Sequence, residues 1–135
     1  MGIWLFSVCL ALMVACAQQS GGGGGATLGQ EFKLKAGREV RLKGAPLKIR
    51  FASVAEDSRC PQGVDCVWSG NARVALVVER EGGPAVNVEL NTHVEPKTAA
   101  AEGYELALVG LSPYPRAEEK IKPQDYAATL VVRRK

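Results

Sequence analysis

From Leu28 to the C-terminus, apolar side chains recur at every second position, a period that points to half-buried strands rather than helices. Phe32 and Leu34 alternate with Glu31, Lys33 and Lys35, and Val40 and Leu42 alternate with Glu39, Arg41 and Lys43. Leu47, Ile49 and Phe51 continue the pattern until it slips at Ala52-Ser53-Val54, where a bulge is expected. Arg73–Arg80 is the most apolar run and is expected at the centre of a sheet. Glu81-Gly-Gly-Pro84 then turns it into a hairpin with Val86, Val88 and Leu90. Tyr104–Leu111 and Tyr126–Arg133 supply two further strands, while 91–103 and 112–124 are expected as loops. The fold class is therefore all-β: a single antiparallel β-sandwich of Greek-key or Ig-like type with about seven strands, or a small β-barrel. Tyr126, at the start of the closing strand, is placed where a tyrosine corner would bond back to nearby backbone; a plain core tyrosine is the equal alternative.

Between the third and fourth of these runs stands Asp57-Ser-Arg-Cys-Pro-Gln-Gly-Val-Asp-Cys-Val-Trp-Ser-Gly-Asn-Ala72, which interrupts the alternation. Cys60 and Cys66 enclose a short loop with Pro61 and Gly63. Closing so short a loop by a disulfide stabilises by about 2 kcal/mol through chain entropy, so such a bond would shape the loop more than it holds the fold. Trp68, two residues past Cys66, would share its side of an extended strand and cover the disulfide or the mouth of the core. Two readings follow: a structural corner, or a presented binding loop. The candidate binding residues are Asp57, Arg59, Gln62, Asp65 and Trp68, joined by Tyr114 and Arg116 from the Ser112-Pro-Tyr-Pro-Arg116 turn.

The N-terminus sets the expected compartment. Ile3–Ala15 is an uncharged apolar run in the range of a signal-peptide core and shorter than the roughly 20 residues of a membrane-crossing helix. Residues 1–15 are thus read as a signal peptide. Met13-Val14-Ala15-Cys16 resembles the lipobox of bacterial lipoproteins, and the resemblance implies cleavage before Cys16 and attachment of lipid to its thiol. An ordinary cleaved signal with unmodified Cys16 is the alternative. Residue Ala17 is not the Asp associated with inner-membrane retention, so an outer-membrane anchor facing the periplasm is expected, with a secreted or periplasmic form as the alternative. Residues 16–27, with five consecutive glycines, read as a tether, and 28–135 as the domain. In an oxidising compartment Cys60 and Cys66 are expected to be joined.

The chemistry classes narrow quickly. A net charge of +3, with both signs intermixed along the strands, gives no nucleic-acid footprint. Cys-x5-Cys lacks the spacing of a Cys-x-x-Cys redox motif, and a zinc site would need two further soft ligands where the sequence offers a single histidine, His93. No Asp-x-Asp-x-Asp-Gly calcium loop and no Gly-x-Ser-x-Gly elbow occurs, so neither cofactor, metal nor enzymatic activity is expected. Ser58-Arg-Cys-Pro61, Val64-x-Cys-Val-Trp68 and Gly70-Asn-Ala72 resemble a motif in a family of small uncharacterised bacterial lipoproteins and secreted β domains. That resemblance implies a disulfide-bearing β domain and carries over no activity. The function expected is a membrane-anchored, non-enzymatic binding domain of the envelope, with an envelope protein or a glycan as partner. The alternatives are an envelope assembly factor without a small ligand, a small protease-inhibitor-like module, or a hydrolase.

Overall fold

The computed structural model describes residues 25–135. Residues 1–15, expected as a signal peptide, Cys16, and residues 17–24, expected as part of a tether, lie outside the described residues. The described residues form nine strands: β1 (Ala26–Thr27), β2 (Phe32–Lys35), β3 (Glu39–Lys43), β4 (Leu47–Asp57), β5 (Ala72–Arg80), β6 (Ala85–Asn91), β7 (Thr98–Ala101), β8 (Tyr104–Ser112) and β9 (Ala127–Arg134). They make two sheets, ordered β1-β3-β4-β5-β6 and β2-β9-β8-β7, which settles the architecture as a sandwich rather than a barrel. Consecutive strands are hydrogen-bonded neighbours within each sheet, and the chain changes sheets only at β1–β2, β2–β3 and β6–β7. All pairings are antiparallel except the short β1–β3 contact, which is parallel.

The alternating positions become the two inner faces. Ile49, Phe51, Val74, Leu76, Val78 and Leu90 from one sheet meet Leu34, Leu106, Ala128, Leu130 and Val132 from the other, all essentially buried. Burying an aliphatic or aromatic side chain of this size contributes roughly 1.5–3 kcal/mol, so the interleaved layers are the main source of stability. The outer face of the five-stranded sheet is wet and charged, with Arg41 against Glu81 at 3.3 Å, Lys48 against Glu79 at 3.0 Å and Arg73 against Glu89 at 3.5 Å.

Three local expectations change. Ala26 and Thr27, counted with the tether, form β1 against Leu42 and Lys43, and Ala26 is fully buried. The segment 91–103, expected as a loop, contains β7, joined to β8 by a tight turn in which Glu102 and Gly103 both have positive φ (53° and 83°). That is the backbone of a two-residue hairpin. The single slip expected at Ala52–Val54 is two register shifts in β4, between Phe51 and Ser53 and between Val54 and Glu56. They twist the far end of β4, and Asp57 at its tip is brought over the start of β9.

Candidate functional site

At the Asp57 end of β4 the chain enters the cysteine stretch, and its first act is to bury an arginine. Arg59 is 4% exposed. Its Nε and Nη2 donate to Asp57 Oδ1 and Oδ2, both at 2.8 Å, a bidentate pair. Nη1 donates to the Leu111 carbonyl at 2.7 Å, and Nη2 donates also to the Pro113 carbonyl at 3.0 Å. Its guanidinium lies over the Tyr114 ring, 5.2 Å from the centroid, within cation–π range. A buried guanidinium is tolerated only when its charge is matched and its donors are filled, and here four of its five N–H groups have partners.

Tyr126 completes the cluster. Its hydroxyl donates to Asp57 Oδ2 at 2.9 Å, across 69 residues of sequence. This corrects the tyrosine-corner expectation, because the partner is a distant carboxylate rather than nearby backbone. Burial by itself pushes the Asp57 carboxyl up, but the hydrogen bonds from Arg59 and Tyr126 and the charge of Arg59 outweigh it, and the carboxyl sits below its ordinary value. The Tyr126 phenol is pushed up to about 12, first by burial and then by its bond to the Asp57 carboxylate and that group's charge.

Around this clamp the cysteine loop is tied on every side. Cys60 and Cys66 are disulfide-bonded. The Ser58 N–H donates to the Asn71 carbonyl at 2.7 Å and the Cys60 N–H to the Ser69 carbonyl at 3.0 Å, so the two limbs of the loop run on as a ladder beyond β4 and β5. The Gln62 N–H donates to the Pro115 carbonyl at 2.9 Å, which fixes the loop tip to the 112–116 turn. Gly70 makes the close crossing possible: its φ is +69°, and a Cβ there would strike the Ser58 carbonyl and Arg59 Cα. Asn71 holds the third loop. Its Oδ1 accepts from the His93 and Val94 N–H groups at 3.1 and 3.4 Å, and its Nδ2 donates to Asn91 Oδ1 at 2.9 Å.

The seven candidate binding residues therefore divide. Asp57 and Arg59 are not presented to a partner: they form the internal clamp. Gln62, Asp65, Trp68 and Tyr114 line an open groove between the cysteine loop and His93. Arg116 is exposed beside it, and its backbone forms a parallel bridge with Gln62. Trp68 covers neither the disulfide nor the core, being 80% exposed. The side-of-strand expectation fails because the chain bends at Val67–Trp68 and β5 begins only at Ala72. Val67 is 90% exposed and Val64 45%, neither of them singled out by sequence reasoning. Among the described residues no group of three or more His, Cys, Asp or Glu side chains could hold a metal ion.

The molecule is thus an all-β sandwich that gathers three loops, 57–71, 91–94 and 111–117, at one pole around a buried Arg–Asp–Tyr cluster. No protein-family model matches the chain, and neither a curated protein nor a solved structure matches it.

Proposed function

We propose that the chain is a lipid-anchored envelope lipoprotein whose sandwich is a non-enzymatic recognition domain, working through the pole that carries the cysteine loop. The observation that carries this reading is the contrast at that pole. The loop backbone is fixed by a disulfide, a buried arginine and a bridge to a second loop, while Trp68 and Val67 stand 80% and 90% exposed on it. Exposed apolar side chains on a rigid frame lose little entropy on binding, and contiguous ones commonly mark interaction surfaces. The carboxylate most deeply set at the pole, Asp57, is committed to Arg59 and Tyr126, which argues for support rather than acid–base chemistry.

The lipobox-like Met13–Cys16 supports the anchor, and the strand order supports the direction in which the domain faces. Ala26 lies level with Leu42, and β3 pairs with the Leu47 end of β4. Ten further residue steps at roughly 3.3 Å each carry β4 to Asp57, so the chain enters the domain about 30 Å from the loop pole. The nine steps from Cys16 to Gly25 span at most about 30 Å more. On this reading the recognition surface points away from the anchoring membrane, toward a partner in the space beyond it.

Two measurements test the reading. Cells given a palmitate analogue should label the protein, and Cys16→Ala should abolish the label; an unlabelled parent protein overturns the anchor. A photo-crosslinking residue at Trp68 should give adducts in cells that the same residue at Pro84, in the hairpin at the other pole, does not give. Equal yields from both positions overturn the recognition surface.

A further inference from the structure

We infer that the groove beside Trp68 is a binding site for a neutral glycan, a proposal that rests on the recognition reading and names its ligand class. The groove is an open, shallow hollow of about 550 Å³. Two aromatic residues line it: Trp68, 80% exposed, and Tyr114, whose ring lies 5.2 Å from the Arg59 guanidinium. Polar side chains share the lining: Gln62, Asp65, Ser69 and His93. Ring faces that are apolar, framed by hydrogen-bonding groups, match the C–H face and hydroxyl rim of a pyranose.

The same lining argues against other ligand classes. No lysine or arginine lines the groove and one carboxylate does, which disfavours phosphate, nucleic acid and sulfated chains. It is shallow and mainly polar, whereas a lipid or apolar cofactor requires an enclosed apolar cavity. A second surface hollow, over Arg41, Lys48, Glu79 and Glu81, is lined by side chains already engaged in ion pairs with one another.

Of the two tryptophans, Trp4 lies in the segment read as a cleaved signal peptide, so in the mature lipid-anchored protein the indole emission comes from Trp68 and reports on the groove. The protein is held in a zwitterionic detergent, since glucoside and maltoside detergents would themselves offer sugar. Chitotetraose, cellotetraose and maltotetraose are titrated in turn. At least one should give a saturable shift in emission. By calorimetry Trp68→Ala and Tyr114→Ala should weaken its binding about tenfold or more, while Pro84→Ala binds as the parent does. Trp68 is so exposed that its replacement leaves the fold intact, and it is the decisive variant. No response to any of the three sugars, or a response unchanged in Trp68→Ala, overturns the glycan site. If the sugars fail while the crosslinker at Trp68 still captures an envelope protein, the glycan inference falls and the recognition reading stands. If both fail, both fall.

Discussion

Arg59 grips Asp57 through both arms of its fork, Nε to Oδ1 and Nη2 to Oδ2, each at 2.8 Å, and with its remaining reach holds the carbonyls of Leu111 and Pro113. One side chain thus joins the end of β4 to the turn after β8. Removing it leaves a largely buried carboxylate and two carbonyls without a donor. Arg59→Ala should destabilise the domain by about 3–5 kcal/mol, read as a lower denaturant midpoint. Arg59→Lys should recover little, because an ammonium cannot span the same four bonds. A loss below about 1 kcal/mol would mean the pole is not held by this residue.

The clamp also predicts a pH profile with two edges. Asp57 titrates lower folded than unfolded, so the stability it contributes is present above the unfolded carboxylate value near 4 and is lost as pH falls through the folded value. Tyr126 is raised to about 12 against an unfolded value near 10; its contribution is complete below about pH 10 and is lost between about 10 and 12. Tyr126→Phe should remove the alkaline edge and lower stability at pH 7 by about 1–2 kcal/mol, the worth of a hydrogen bond to a charged group. Thermal midpoints measured from pH 3 to 12 in both proteins decide this.

Glycine positions in the loop should differ sharply in tolerance. Gly63 and Gly70 both have positive φ, but a Cβ on Gly63 meets nothing within 4 Å, whereas on Gly70 it strikes the Ser58 carbonyl. Gly63→Ala should cost about 1 kcal/mol from backbone strain alone, and Gly70→Ala clearly more. Equal losses in melting temperature would refute the assigned crossing.

Replacing both Cys60 and Cys66 by serine should cost only about 2 kcal/mol, because the loop between them is short. The fold should survive with an unchanged core. Local order should not: the amide of Gln62, now protected by the Pro115 carbonyl, should exchange with solvent faster while amides of β5 keep their protection. Uniform loss of protection would show that the bond holds the whole sandwich.

Much of the layer structure is legible because burial with period two leaves its mark directly: Phe32, Leu34, Leu47, Ile49 and Phe51 alternate with charged residues, and all five are buried. β7 was missed because Thr98-Ala-Ala-Ala101 has no alternation, and its strand state comes from pairing with β8 across the Glu102-Gly103 turn. At the pole, residue type and role parted company. Arg59 beside a cysteine reads as a surface cation, and nothing local reveals that carbonyls 52 and 54 residues away will receive it. Trp68 failed in the opposite sense, since tryptophan is usually covered and the bend that turns it outward has no pattern in the neighbouring residues. Tyr126 was read as a corner residue, but its partner, Asp57, is visible only once β4 has been bent by two register shifts.

The way Arg59 holds the turn after β8 has a consequence for substitution. It grasps backbone oxygens of Leu111 and Pro113 rather than their side chains, and Gln62 meets Pro115 through backbone atoms as well. The joints of the pole are therefore indifferent to what the neighbouring side chains are. The side chains of Gln62, Asp65 and Trp68 are exposed, so substitutions there leave the frame beneath intact.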